Sequence, residues 1–342
     1  MRPTIVINTQ RTTPTPERIA ILLMPQFSFA GLGAMLDPLF IINWLAQEPR
    51  FKWQLLGSDT TVAASNGVPL NVDTEWPAPA DLDSVFVLAS FETKTYTGDK
   101  RIAMWLRQCA AAGVALGGIE MGSEVLAAAG VLDEHQVAVH WDNLEGFREL
   151  YPRIQATSDL YRIAGQRLSC AGGTAVLDMM FAWLTPRVEP PYMEELRNHL
   201  LERRQRRDDS EQLSAAPEHH VETSAQLRKV IRTMRRTLET PLSAPALAAL
   251  VGLSPRQLER RFKAELGVTP IRYYLWLRIN RAHRLLQQTD LSVAEVASCA
   301  GFGSLEHFSR AYRRFFGCAP SDDRLQSRDA PVVPVRLFPV KR

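Results

Sequence analysis

Cysteine is scarce in this chain of 342 residues, with four in all: Cys109, Cys170, Cys299 and Cys318. No two form a C-x-x-C pair and none stands at metal-ligand spacing, which argues against a disulfide scaffold and a zinc module. Few, scattered cysteines suit a reducing cytosol, with burial the expected state of each. Apolar runs are short as well. No stretch reads as long enough to span a membrane, and the opening MRPTIVINTQRTTPTPER lacks the apolar core of a signal peptide. The expectation is a cytoplasmic protein with no membrane contact, no metal and no cofactor. Net charge is the third quantity in short supply, at +3.

That small total hides an uneven distribution. Residues 1–186 hold 13 basic against 19 acidic side chains, a net −6, whereas residues 221–328 hold 18 against 9, a net +9. An acidic globule joined to a basic one fits a module that avoids nucleic acid linked to one that meets phosphates. With 46% hydrophobic and 23% charged residues the composition is that of ordinary globular proteins, and the length leaves room for two domains, each with its own core.

Between Ser243 and Pro320 one pattern is written twice. The copies are GLSPRQLERRFKAELGVTP and GFGSLEHFSRAYRRFFGCAP. Counted from Ser254 and Ser304, Leu258 and Phe308 come four residues on, Phe262 and Tyr312 eight on, Gly267 and Gly317 thirteen on, and Pro270 and Pro320 sixteen on. A serine ahead of an apolar i, i+4, i+8 stripe is a helix cap followed by a buried face, and glycine then proline mark the stop. Each copy follows a short helix of small residues and a glycine turn, at 245–250 with Gly252 and at 293–300 with Gly301. Helix, glycine turn, helix is the helix-turn-helix unit. A long apolar helix predicted over 271–288 links the two, and an amphipathic one over 221–238 precedes them. In such units the N-terminal part of the second helix meets base edges in the major groove. The outward positions are Arg256, Gln257, Glu259, Arg260 and Lys263 in the first and Leu305, Glu306, Ser309, Arg310 and Arg313 in the second. Arginine reaches guanine O6 and N7 in bidentate fashion and glutamate accepts from cytosine N4. A solvated helix face or a phosphate contact remains open for each single residue. The double pattern over residues 221–324 resembles the DNA-binding domain of the AraC/XylS transcription regulators. That resemblance implies double-stranded promoter DNA as partner, with a homodimer and RNA polymerase as further partners and an activating role.

From Arg18 onward strands and helices alternate. IAILLM at 19–24, 53–58, SVFVLA at 84–89 and VALGGI at 114–119 read as strands, with helices at 33–46, 100–112, 123–129 and 174–184 between or after them. An Asn-Gly hairpin is expected over 62–70, and 137–140 and 161–164 should complete an α/β sandwich with a parallel sheet. Ligands of such sheets sit at strand-to-helix turns beyond the carboxyl ends of the strands. The informative turn is Gly117-Gly118-Ile119-Glu120-Met121-Gly122-Ser123, laid out as a nucleophile elbow. Residues 17–186 resemble the class I glutamine-amidotransferase-like, PfpI-like fold, in the version fused to AraC-type domains. The phrases that carry this are ILLMPQFSFAGLGAMLDPL, ASNGVPL, ALGGIEMGSEVLAAAGVLD, VHWDNLEGFRELYP and CAGGTAVLDMM. Enzymes of that fold place a cysteine nucleophile at the elbow, and here the residue is Glu120. A carboxylate does not replace a thiolate in amide chemistry, so no catalytic residue is expected. His140 stands where the fold's histidine would come, either as a hydrogen-bond donor to a ligand or as a structural residue.

The resemblance implies a sensor of small amino-acid-like or quaternary-ammonium metabolites such as arginine, carnitine or glycine betaine. Glu120 suits a cationic group, Trp141 with Phe27, Phe29 or Phe91 offers aromatic faces, and Met121 of the turn and His140 are further candidates for the ligand. The start of the helix at 122–129 is placed to hold a carboxylate. These aromatics fit a hydrophobic core equally well. Taken together, residues 1–16 read as a loose tail, 17–186 as the sensor, 187–220 as helical connector and hinge, 221–324 as DNA-binding domain and 325–342 as a C-terminal tail. After Pro320, three prolines in 22 residues predict no fold of its own, with a tail docked on the domain as the open alternative. Two other readings stay open: an N-terminal domain that only dimerises or binds proteins, and an amidase or protease.

Overall fold

The structure, a computed structural model, describes residues 15–90, 94–202, 205–210, 212 and 223–326. The chain forms two compact units, one of residues 1–140 with 153–210, the other of residues 141–152 with 211–342.

The first unit follows the α/β reading. In chain order it contains β1 (Glu17–Leu23), α1 (Phe29–Ala46), β2 (Phe51–Leu56), the hairpin β3 (Thr61–Ala63) and β4 (Pro69–Asn71), and β5 (Ser84–Ala89). Next come α2 (Lys94–Thr97), α3 (Lys100–Ala111), β6 (Ala115–Glu120), α4 (Gly122–Ala128) and β7 (Gln136–Ala138). Residues 141–152, with α5 (Leu144–Leu150), group with the other unit. The first then resumes with β8 (Gln155–Thr157), β9 (Tyr161–Ala164), β10 (Arg167–Cys170), α6 (Ala175–Leu184) and α7 (Pro190–His199). The main sheet has the order β2-β1-β5-β6-β10-β9, parallel throughout except for the antiparallel edge strand β9. Ile19, Ile21 and Leu23 pack with Phe86, Leu88 and residues of α1 and α6 in one core cluster. Helices α3 and α4 pack against β6 without joining that cluster, so both faces of the sheet are covered. That burial on both sides is why these strands read as unbroken apolar runs.

Four expectations change here. Strand β10 was not predicted, and it carries β9. The strand expected over 137–140 is shorter and leaves the main sheet to pair in parallel with β8. Helix α1, with a mean hydropathy of 1.5 over 18 residues, does reach membrane-span length. Its Leu32, Met35, Leu39 and Ile42 are committed to the domain core instead. The connector helix α7 stops at His199, and the chain at 205–206 is pinned to α6. Arg206 donates from its backbone N–H to Asp178 Oδ1 at 2.8 Å and from Nη2 to Asp178 Oδ2 at 2.7 Å. The expected hinge lies mostly outside the described residues, as do most of both tails.

The second unit is helical apart from its loops: α8 (Ala225–Arg236), α9 (Ala244–Ala249), α10 (Pro255–Leu266), α11 (Pro270–Gln288), α12 (Val293–Cys299), α13 (Leu305–Phe316) and α14 (Pro320–Gln326). Helix α11 serves two cores. Tyr273, Tyr274, Trp276 and Leu277 close one with α8, α9 and α10, and Ile279, Ala282, Leu285 and Leu286 close the other with α12 and α13. The prolines expected as stops are the first residues of α11 and α14, where a missing N–H costs nothing. Helix α14 therefore gives the residues just after Pro320 a fold that the proline count did not predict.

Candidate functional site

The written repeat is a physical repeat. Ser254 caps α10 by accepting from Gln257 N at 3.3 Å, and Ser304 caps α13 by accepting from His307 N at 3.2 Å. Such caps stabilise a helix start by about 1 kcal/mol each. Both helices end on a left-handed glycine, Gly267 at φ 71° and Gly317 at φ 84°, whose N–H returns to Lys263 O and Arg313 O. Between the caps Leu258, Phe262 and Leu266 of α10, and Phe308 and Tyr312 of α13, are buried. The opposite faces are open. Arg256, Gln257, Glu259, Arg260 and Lys263 are exposed along α10, and Leu305, Glu306, Arg310 and Arg313 along α13, with Ser309 half-buried.

Not all of these side chains are uncommitted. Gln257 accepts from Ser254 N at 2.8 Å and completes a capping box, so its carbonyl oxygen serves the helix start. Glu259 pairs with Lys263 at 2.7 Å and Glu306 with Arg310 at 3.2 Å, each across one turn. Exposed pairs of this kind are worth only tenths of a kcal/mol and release readily to a stronger partner. Leu305 is 48% exposed at the first position of α13. Leu305, Glu306, Ser309, Arg310, Arg313 and Arg314 line one concavity on that helix. Arg314 is a member that the sequence reading missed, although it follows Arg313 directly.

In the first unit, the turn between β6 and α4 is built for close approach. Glu120 ends the strand at φ 53°, a left-handed conformation unusual for a side-chain-bearing residue. Its Oε2 accepts from Ser90 Oγ at 2.7 Å and its Oε1 from Gly173 N at 3.2 Å. A Cβ on Gly172 would come within 1.9 Å of the Glu120 side chain, and one on Gly122 within 1.9 Å of Val87 O. Both glycines are there because nothing larger fits. Ser90 and Gly173 were not singled out from the sequence. The CAGGT phrase held the second, but its contact with Glu120 bridges 53 positions.

The other expected ligand residues are scattered. Met121 follows Glu120 and is half-buried, and His140 is half-buried just after β7. Phe27 is fully buried in the main core, so it is a core residue and offers no face to a ligand. Phe29 is 41% exposed. Phe91 lies outside the described residues. Trp141 groups with the second unit, where its backbone N–H donates to Gln212 Oε1 at 2.8 Å. Helix α4 has only seven residues, which leaves little dipole to hold a carboxylate. The thiol nearest the elbow, Cys170, is fully buried, and burial pushes it up to about 12; burial also pushes Cys109 up to about 11. Neither supplies a thiolate near neutral pH.

Comparison with known proteins bears on both units. Residues 247–326 match the family model described as a helix-turn-helix domain. The chain is 38% identical over 305 residues to the HTH-type transcriptional regulator CdhR of Pseudomonas aeruginosa, covering 89% of this chain and 90% of that protein. To the HTH-type transcriptional regulator GbdR of the same species it is 33% identical over 328 residues, covering 95% and 88%. Among solved structures, an AraC family transcriptional regulator from Pseudomonas putida superposes with a TM-score of 0.50 at 27% identity, covering 54% of this chain and all of that one.

Proposed function

The chain belongs to the AraC family of helix-turn-helix transcriptional regulators, and from that premise we propose that it is a ligand-responsive activator that reads promoter DNA with α10 and α13. The observation that carries the DNA half is the pair of helices, each capped by a serine and ended by a left-handed glycine, with open polar faces on a shared scaffold. Arg256, Arg260, Arg310 and Arg313 are the candidates for guanine or phosphate, Glu259 and Glu306 for cytosine N4, and Leu305 for a thymine methyl. Two such helices held by one α11 suit successive major grooves about one turn apart. A homodimer would present two copies of that double reader, with RNA polymerase as the downstream partner.

The effector half rests on Glu120. A half-buried carboxylate held by Ser90 and Gly173 suits a cationic or quaternary-ammonium group, with Met121 next to it in sequence and His140, after β7, as a further candidate. Hydrolysis of an amide by this turn is disfavoured, because the elbow carries a carboxylate and Cys170 is held protonated. The closed hydrogen bonding of Glu120 favours a second reading, in which it only locks the turn and the unit serves dimerisation or protein contact.

A thermal melt of the full chain with glycine betaine, L-carnitine and L-arginine separates the two. A ligand at 100 times its dissociation constant adds about 2.7 kcal/mol of stability. A rise with one of them, lost in Glu120→Gln while DNA affinity is kept, is the expected result. A flat response to all three supports the second reading.

A further inference from the structure

Residues 141–152 leave β7 just after His140 and return to β8 at Arg153, and β7 and β8 are paired in register from Gln136↔Gln155 to Ala138↔Thr157. Both ends of this arm are thus held by one ladder of the first unit, yet the arm itself packs within the second. It lies on α11. Glu145 Oε2 is 3.5 Å from Arg281 Nε and 3.4 Å from Arg284 Nη2, and Arg284 Nη1 is 3.8 Å from Asp142 Oδ1. Gln288 Nε2 donates to Asn143 Oδ1 at 2.8 Å and to Asp142 O at 3.2 Å. Arg281, Arg284 and Gln288 stand at i, i+3 and i+7, one face of the helix. The arm comes so close that a Cβ on Gly146 would lie 2.6 Å from Gln288 Oε1 and 3.0 Å from its Cβ.

This contact is specific but not fully satisfied. The Nε atoms of Arg281 and Arg284 and Oε1 of Gln288 are buried with no hydrogen bond among the described residues. Buried polar atoms without partners weaken an interface, so such an arm can detach at modest cost. The arm also carries Asp142, Glu145 and Glu149 against Arg148, a net −2, and docks it on a module of net +9. On α11, the helix common to both helix-turn-helix cores, Arg284 pairs with the arm through Asp142 and Glu145, and Arg281 shares its charge between Glu145 of the arm and Glu239, 2.8 Å away.

We infer that residues 141–152 form a detachable acidic arm that restrains DNA binding by gripping α11. Docked, it lowers the positive potential that attracts DNA and couples the region after His140 to the scaffold of both reading helices. Released, it uncovers Arg284 and leaves Arg281 with Glu239 as its one acidic partner among the described residues. The inference rests on the cleft reading above only for what would move the arm, because its grip on α11 stands without any ligand.

Two variants of the full chain test it. Gly146→Leu forces the arm off by bulk without changing charge, and leucine favours helix more than glycine, so α5 itself is not weakened. Glu145→Gln removes the carboxylate shared by the two arginines. Affinity is read by fluorescence anisotropy on a duplex selected from a random pool, alongside hydrogen exchange of α5 and a thermal melt. The expected result is exposed α5 amides, DNA affinity raised about fivefold to tenfold in Gly146→Leu and less in Glu145→Gln, and an unchanged melt of the helical unit. Unchanged affinity in both variants, α5 amides still protected in both, or a fall in affinity with an earlier melt overturns the inference. If the wild type ignores glycine betaine, L-carnitine and L-arginine while the variants shift affinity as expected, the cleft reading fails and the arm stands.

Discussion

Eight residues after its capping serine, the first helix-turn-helix unit places Phe262 and the second Tyr312, and both rings are fully buried. Their surroundings differ. Phe262 meets Tyr273 edge to face at 5.9 Å in a core closed by apolar side chains. Tyr312 donates to Asp323 of α14, and His283 Nδ1 lies 2.7 Å from the Tyr312 hydroxyl and 2.9 Å from Asp323 Oδ2. The His283 ring stacks on Phe316 at 4.2 Å. One repeat thus has two ways of holding its reading helix. The first helix-turn-helix unit holds Phe262 by shape and burial and has its polar tie elsewhere, where Tyr274 of α11 donates to Thr237 O at 2.7 Å. The second places a polar trio at Tyr312 itself that ties α14 to α11 and α13. A tyrosine in place of phenylalanine is what allows the second arrangement, since its hydroxyl is the group that α14 meets.

Truncation at these two positions breaks the comparison most severely. Phe262→Ala and Tyr312→Ala are each expected to cost about 3–5 kcal/mol, the usual range for large buried aromatics. Residue-resolved hydrogen exchange of the full chain should show the loss concentrated in the unit that was altered. Equal loss of protection in both units would mean that α11 fuses them into one cooperative block.

Acid sharpens the contrast. Burial alone would raise the Asp323 carboxyl, but the hydrogen bonds from His283 and Tyr312 and the charge interaction with His283 hold it below the usual carboxylate range. A group whose folded value is depressed contributes stability that is present above its unfolded value and lost as pH falls through the folded one. The second unit should therefore lose exchange protection on acidification through and below the ordinary carboxylate range. The first helix-turn-helix unit, where Phe262 packs on Tyr273 within a hydrophobic cluster, should lag behind. Tyr312→Phe, which removes one partner of a half-buried carboxylate, should cost about 1–3 kcal/mol at neutral pH and flatten that acid sensitivity. An acid response identical in variant and wild type would assign it to other carboxylates.

How much of this was written in the sequence depends on how local the causes are. Strand β5 was expected at 84–89 and lies there, because a strand covered on both faces carries its signal in every residue. The caps, stripes and glycine stops of α10 and α13 were legible for the same reason. Strand β10 was missed because Arg-Leu-Ser-Cys is too short and too mixed to carry a period, and its place is set by pairing with β6 fifty residues earlier. Helix α14 was missed because Ser-Asp-Asp-Arg reads as a polar tail until Tyr312 and His283 supply a partner for Asp323. Phe27 shows a different limit: hydropathy does not separate an aromatic that lines a cleft from one that fills a core. Ser90 and Gly173 around Glu120, and the contact of residues 141–152 with α11, are tertiary facts with no local signature.

The central claim is that both repeats read DNA, each through its own exposed face. The direct test is binding-site selection from a random duplex pool, run in parallel with the wild type, Arg260→Ala and Arg310→Ala at one fixed salt concentration. The wild type should recover two short elements about one helical turn apart. Each substitution should relax one element only and cost about 1–3 kcal/mol at the affected position. A single recovered element, or the same selected sequence from all three proteins, would contradict the account.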